Sequence, residues 1–150
     1  LFHTLNPVNH TRTPADVERY KAEPYVMAGD VCAHNAHAGR AGWTWYTGAA
    51  GWMYRLTVET LLGLQLEVDH LRMAPCIPGH WESYKIHYRF RETFYHITVK
   101  RVGEQSGSVI RVTLDGAVVS DSTTDTAGCP QGIIPLTDDR HEHYVEVELS

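Results

Sequence analysis

Tyr84-Lys-Ile-His-Tyr-Arg-Phe-Arg91 alternates without a break. Tyr84, Ile86, Tyr88 and Phe90 fall on one side, and Lys85, His87, Arg89 and Arg91 on the other. A period of two is the mark of a half-buried strand. Phe94-Tyr-His-Ile-Thr-Val-Lys100 follows as a second strand, with Glu92-Thr93 as the expected hairpin turn. That pair lacks the glycine that two-residue turns favour. Working outward toward the C-terminus, short runs recur at 108–114, 117–119, 133–136 and 144–149. Gly103, Gly107, Asp115-Gly116 and Gly128-Cys-Pro130 separate them. Short strands at this spacing predict an antiparallel sandwich over residues 65–150.

Working outward toward the N-terminus, the texture turns helical. Thr13-Pro14 reads as an N-cap with proline at the first helical position, and Asp16 and Glu18 suit the first turn. A helix is expected over 14–22. Pro24 disfavours helical geometry at Glu23 and sets a break there, after which a short helix is expected over 24–33. A longer helix is expected over 47–62, with Ala50, Met53, Tyr54, Thr57, Leu61 and Leu64 as one buried face and Gly63 as its stop. Residues 1–64 hold little core of their own, so the simplest reading makes them the last helices of a larger helical domain with the strands appended.

The bulk numbers exclude several classes. The chain has 150 residues, 43% of them hydrophobic, and a net charge of −5. No basic stripe suits nucleic acid, and no apolar run approaches the ~18 residues of a membrane span. Residues 1–20 do not read as a signal peptide. Cys32, Cys76 and Cys129 are odd in number and far apart, which is no disulfide framework. The chain opens on Leu1 rather than methionine and is read as part of a longer protein.

The chemistry concentrates in Gly39-Arg-Ala-Gly-Trp-Thr-Trp-Tyr-Thr-Gly-Ala-Ala-Gly-Trp52. Flat aromatics beside a glycine-rich backbone suit a sugar surface. Thr47-Gly48, where the longer helix begins, offers a hydroxyl and unpaired N–H groups to an anion. Thr47 could equally be a plain N-cap, and Trp43 and Trp45 could be packing residues rather than sugar contacts. Trp52, one turn into the helix, is expected in the core. Glu23 reads as a surface acid or, beside Tyr25, as a sugar-hydroxyl contact, and Arg40 as a loop anchor. His34 with His37, and His141 with His143, have metal-like spacing but no third or fourth ligand, so no metal site is expected. His141 and His143 are instead expected on one face of an exposed edge strand.

Glu23-Pro-Tyr-Val26 followed by Gly39–Trp52 resembles the inverting glycoside phosphorylases, glycoside hydrolase family 94, which includes cellobiose and chitobiose phosphorylases. Leu5-Asn-Pro-Val-Asn-His10, Asp69-His-Leu-Arg-Met-Ala-Pro-Cys-Ile-Pro78 and Tyr84–Arg91 are similar to its cyclic β-1,2-glucan synthase branch. The similarity covers roughly residues 3–100. It implies an α+β chain: the last helices of an (α/α)₆ barrel over 1–64, then an antiparallel jelly-roll-like sandwich over 65–150. It implies inverting phosphorolysis of a β-glucan or oligosaccharide, with inorganic phosphate as co-substrate, no other cofactor, and an upstream barrel of the same parent as partner. Thr47 and Gly48 match phosphate-binding positions, while Glu23, Tyr25, Trp43 and Trp45 are candidate sugar contacts. No catalytic residue carries over. The general-acid aspartate belongs to an upstream motif, and Asp16, Asp30 and His10 are no substitutes. Ala41 and Ala49 stand where the family often has glycine and serine or threonine, which touches fine specificity. The resemblance further implies a cytoplasmic location on a bacterial protein anchored in the inner membrane. A carbohydrate-binding module and a structural cap without catalysis are the alternatives.

Overall fold

The computed structural model describes residues 2–45, 48–103, 107–121, 123–124 and 130–150. The chain is α+β and divides into two compact units, Leu1–Arg55 and Leu56–Ser150.

The first unit begins with α1 (Phe2–Leu5) and a 3₁₀ turn over Pro7–His10, capped by Asn6 Oδ1 accepting from the Val8 N–H at 3.1 Å. The helix expected from residue 14 is α2 (Pro14–Tyr20). Thr13 caps it as anticipated, accepting from the Asp16 N–H at 3.2 Å, and Lys21 ends it in the left-handed region at φ 55°. No helix covers 24–33. The Val26 N–H closes a turn onto the Glu23 carbonyl at 3.3 Å, and Met27–Ala28 form strand β1. The amides of this segment bond across to β2 (Thr44–Trp45) and the residues before it rather than along a helix.

The longer helix also departs from its 3.6-residue pattern. It runs as α3 (Gly48–Arg55) and widens into a π-helical turn over Leu56–Leu61, with the Leu62 N–H donating to Thr57 five residues back at 2.8 Å. A π turn rotates the following side chains off the α-helical stripe. Of the six residues expected on one buried face, only Leu64 is buried, and it lies in a strand. Tyr54 is exposed, and Trp52, expected in the core, is 71% exposed.

The described residues of the second unit form two sheets. Strands β3 (Leu64–Glu67), β4 (His70–Met73), β9 (Thr123–Thr124) and β10 (Pro130–Pro135) form one, in the order β3-β4-β10-β9. Strands β5 (Ser83–Phe90), β6 (Thr93–Arg101), β7 (Val109–Leu114), β8 (Ala117–Asp121) and β11 (Glu142–Leu149) form the other, in the order β5-β6-β11-β7-β8. The alternation of residues 84–91 is reproduced: Tyr84, Ile86, Tyr88 and Phe90 pack on the core. The hairpin turn lies one residue earlier than expected, at Arg91-Glu92, with Phe90 paired to Thr93 and Arg91 at φ 51°. Thr93 is held in the strand because its buried hydroxyl accepts from the N–H groups of Asp139 and Arg140 at 2.9 and 2.8 Å. Asp115-Gly116 makes the β7–β8 turn with both residues at positive φ, the conformation that suits a two-residue hairpin.

The sheets are not all antiparallel. β11 pairs parallel to β6 over eight residues and antiparallel to β7. β11 is therefore the middle strand of five, and His143 does not sit on an exposed edge as expected. The hairpin β3–β4 was not anticipated either, because its turn at Val68-Asp69 has no glycine or proline.

Leu71, Met73 and Ile134 from the first sheet meet Tyr95, Ile97, Val99, Val112, Val145, Val147 and Leu149 from the second in one buried cluster. Each such side chain contributes about 1.5–3 kcal/mol by leaving water. The sheets approach closely at Gly132, where a Cβ would meet Val112 and Val109. By contrast, among the described residues of the first unit only Tyr20, Val26 and Ala41 are buried hydrophobics.

Candidate functional site

The glycine- and tryptophan-rich motif is one arm of an antiparallel ladder, and the Glu23-Pro-Tyr-Val segment leads into the other. Met27 faces Trp45 and Ala28 faces Thr44. The ladder continues through the Gly29 N–H to the Trp43 carbonyl at 2.5 Å, the Gly42 N–H to Asp30 at 3.0 Å, a bridge of Val31 with Ala41, and the Cys32 N–H to Arg40 at 2.8 Å. A 3₁₀ turn over Asn35–His37 forms the tip, where His34 Nδ1 accepts from the Ala36 N–H at 3.3 Å. The arm is fastened to the end of α2, since the Ala41 N–H donates to the Tyr20 carbonyl at 2.8 Å. Tyr20 is buried and stacks on His10 with ring centres 5.0 Å apart. Burial pushes the Tyr20 phenol above its ordinary pKa.

This ladder brings together two sequence segments about fifteen residues apart. Two large aromatic side chains of this region are exposed: Tyr25 at 78% and Trp43 at 74%. Glu23 is half-buried at the start of its arm. Trp45 contributes its backbone to β2. Gly48 is the exposed first residue of α3, while Thr47 lies outside the described residues. Further along α3 the Arg55 guanidinium covers the Trp52 ring, 5.4 Å from its centre. Asp16 accepts from the Thr13 hydroxyl at 2.7 Å, and the exposed Asp30 carboxylate lies over Gly42.

Arg40 does anchor the loop through its backbone, yet its side chain also lines a cleft of about 360 Å³ with Arg19, Lys21 and His37. No carboxylate lines that cleft among the described residues, so it attracts anions. Arg19 and Lys21 escaped the sequence reading, since only the α2–ladder junction brings them near Arg40.

A second polar cluster lies in the two-sheet unit. His143 Nδ1 is 2.6 Å from Asp115 Oδ2, and its Nε2 is 3.1 Å from Asp139 Oδ2. The ring stacks on buried Tyr95 at 5.0 Å. The Asp115 hydrogen bond raises the His143 pKa above its usual value. Asp115 is lowered by that bond and by the Tyr144 N–H, and Asp139 by the His141 N–H and by His143. These groups tie the β7–β8 turn and the 137–141 segment to β11. Among the described residues no group of His, Cys, Asp or Glu is placed to hold a metal ion, and no helix is long and apolar enough to cross a membrane.

Residues 1–63, which hold the whole ladder, match the family model described as the glycosyl hydrolase 94 superfamily, catalytic domain. This chain belongs to the glycosyl hydrolase 94 superfamily. Among similar proteins is the cyclic beta-(1,2)-glucan synthase NdvB of Rhizobium meliloti (strain 1021), 43% identical over 111 residues, or 74% of this chain and 4% of that protein. The N,N'-diacetylchitobiose phosphorylase of Vibrio furnissii is 33% identical over 133 residues, 85% of this chain and 16% of its own length. The solabiose phosphorylase of Paenibacillus borealis is 30% identical over 128 residues, 85% of this chain and 15% of its own. The chain thus spans between 4% and 16% of these glycosyl hydrolase 94 relatives.

Proposed function

We propose that this chain is the C-terminal portion of a β-glucan phosphorylase or glycosyltransferase that acts on β-1,2-glucan by inverting phosphorolysis. In this reading an oxygen of inorganic phosphate attacks the anomeric carbon as the glycosidic C–O bond breaks. An aspartic acid elsewhere in the parent protonates the leaving oxygen, and the product is α-glucose 1-phosphate. The Thr47 hydroxyl and the Gly48 N–H hold the phosphate, and Glu23, Tyr25, Trp43 and Trp45 contact the sugar. Residues 1–64 are the last helices of an (α/α)₆ barrel and 65–150 a jelly-roll-like sandwich. The parent works on the cytoplasmic side of the inner membrane, and the isolated chain is catalytically silent.

The observation that carries this reading is the position of Gly48 at the head of α3, directly after the arm that displays Trp43. A helix N-terminus presents unpaired N–H groups and a favourable dipole to an anion. Exposed aromatic rings on the adjoining ladder supply flat apolar surface for a sugar. The names of the relatives, a β-1,2-glucan synthase and two phosphorylases, agree with glucan and phosphate as the reactants.

The test is Thr47→Val in the full-length protein. Removing the hydroxyl should raise KM for phosphate by about tenfold, the value of one hydrogen bond to a charged group, with far-UV circular dichroism unchanged. An unaltered phosphate dependence would take Thr47 out of the site.

A further inference from the structure

The outer face of the five-stranded sheet carries a row of three rings. His87 on β5 pairs in register with His96 on β6, and His96 with Tyr144 on β11. Their neighbours along the strands, Ile86, Ile97 and Val145, point to the core, so all three rings stand on the opposite face. His96 is the fixed centre. Its ring lies 5.1 Å from Tyr144 at 25° and 4.9 Å from His87 at 77°. Its Nδ1 is 2.7 Å from His87 Nδ1, a spacing that requires one nitrogen to donate and the other to be bare. Tyr144 is thereby held by His96 on one side and remains 61% exposed. Glu142 stands at the end of the row, its Oε2 3.4 Å from the Tyr144 hydroxyl and 3.5 Å from His96 Nε2. Lys85 and Thr98 close the far side of a cleft of about 200 Å³.

Elsewhere on that face stand two ion pairs, Lys100 with Glu146 at 2.8 Å and Arg111 with Glu148 at 2.7 Å, and the Arg89 guanidinium lies 5.6 Å over the Phe94 ring. The His87–His96–Tyr144 row stands beside them. It offers a rigid aromatic surface with hydrogen-bonding groups on both flanks, and Lys85 and Glu142 balance each other in charge. We propose that the His87–His96–Tyr144 row is a non-catalytic sugar-binding subsite that takes one neutral pyranose unit of a glucan chain. The unit stacks on the free side of Tyr144, while Glu142 accepts from its hydroxyls and Lys85 and His87 supply donors. Charge balance disfavours a phosphate or an acidic peptide here. The volume lies below the roughly 300–1,000 Å³ of clefts that enclose drug-sized molecules, which suits a single ring of a longer chain. Aromatic side chains provide large apolar area at small conformational cost, so Tyr144 is the anchor. The choice of glucan as ligand rests on the proposed function; the subsite's geometry does not.

The experiment is a nuclear magnetic resonance titration of the isotopically labelled 150-residue chain with a β-1,2-linked glucan oligosaccharide, and separately with inorganic phosphate. The oligosaccharide should shift His87, His96 and Tyr144 saturably, and phosphate should leave them in place. Tyr144→Ala should weaken sugar binding about tenfold. Tyr144→Phe should retain it, and Glu142→Gln should weaken it by a few-fold with spectral dispersion intact, which covers the case in which the alanine variant disturbs the sheet. Absence of shifts in the row, or undiminished binding by both Tyr144→Ala and Glu142→Gln, overturns the subsite. Sugar shifts confined to residues 23–48 would overturn it while leaving the proposed function standing. Row shifts combined with an unchanged phosphate KM for Thr47→Val would do the reverse.

Discussion

Replacing Gly132 by alanine should destabilise the two-sheet unit, although alanine is the smallest possible change. Gly132 lies on β10 opposite Met73, at the point where the two sheets come together. A Cβ built there stands 3.1 Å from Val109 Cγ1 and closer still to Val112 Cγ2. Carbon atoms in good contact sit about 3.5–4.0 Å apart, so both valines must move. Both are fully buried, and β-branched side chains have few alternative rotamers. Overpacking of this kind costs about 1–3 kcal/mol. Loss of glycine's freedom in the unfolded chain returns about 0.4–1 kcal/mol. The net loss of about 1–2 kcal/mol lowers the urea midpoint by about 0.5–1 M for an m-value near 2 kcal/mol/M. Far-UV circular dichroism of the strand signal during urea unfolding measures it. Val112→Ala alone should also destabilise, but the double variant should lose about 1 kcal/mol less than the sum, because the new methyl enters the vacated space. An unchanged or higher midpoint for Gly132→Ala, or simple additivity, would refute the close approach of the sheets at this residue.

Three further tests concern residues outside the hydrophobic core. The His143 pKa is raised in the folded chain, so its contribution is complete below the unfolded value near 6.5 and is lost as pH rises through the folded value. Asp115 is lowered, so its share holds above the unfolded value near 3.9 and is lost as pH falls through the folded one. His143→Ala should therefore cost most between about pH 4 and 6.5, about 1 kcal/mol once the exposure of Asp115 is allowed for, and less at pH 9. Equal losses at both pH values in urea melts would remove the Asp115–His143 bond from the account. Trp43→Ala should change stability by no more than about 0.5 kcal/mol, since the side chain is exposed. In the full-length protein the same change should raise KM for the glucan, and an unchanged KM would assign Trp43 no part in sugar binding. The Thr47→Val kinetics described above complete the set.

The parts legible in the sequence are those governed by neighbours along the chain. Thr13-Pro14 starts a helix because the cap bonds two or three residues on. Residues 84–91 and 94–100 form strands because alternation needs only a sheet to pack against. Asp115-Gly116 turns because both residues tolerate positive φ. The family, too, was legible, since it rests on the order of unusual residues in Gly39–Trp52.

Pairing between distant segments was decided by the tertiary structure alone. Residues 24–33 have no strong local preference, and the amides of Gly29, Cys32 and Gly42 take partners across the ladder instead of along a helix. Trp52 reads as a core residue from its place one turn into the helix and from the burial habits of tryptophan, but burial requires a covering surface, which local sequence does not supply. β11 reads as one more short strand. Its insertion between β6 and β7, parallel to one and antiparallel to the other, sets His143 between Asp115 and Asp139 and Tyr144 beside His96. Hydrogen bonds along a strand carry no label for their partner, so no local pattern could have put these residues side by side.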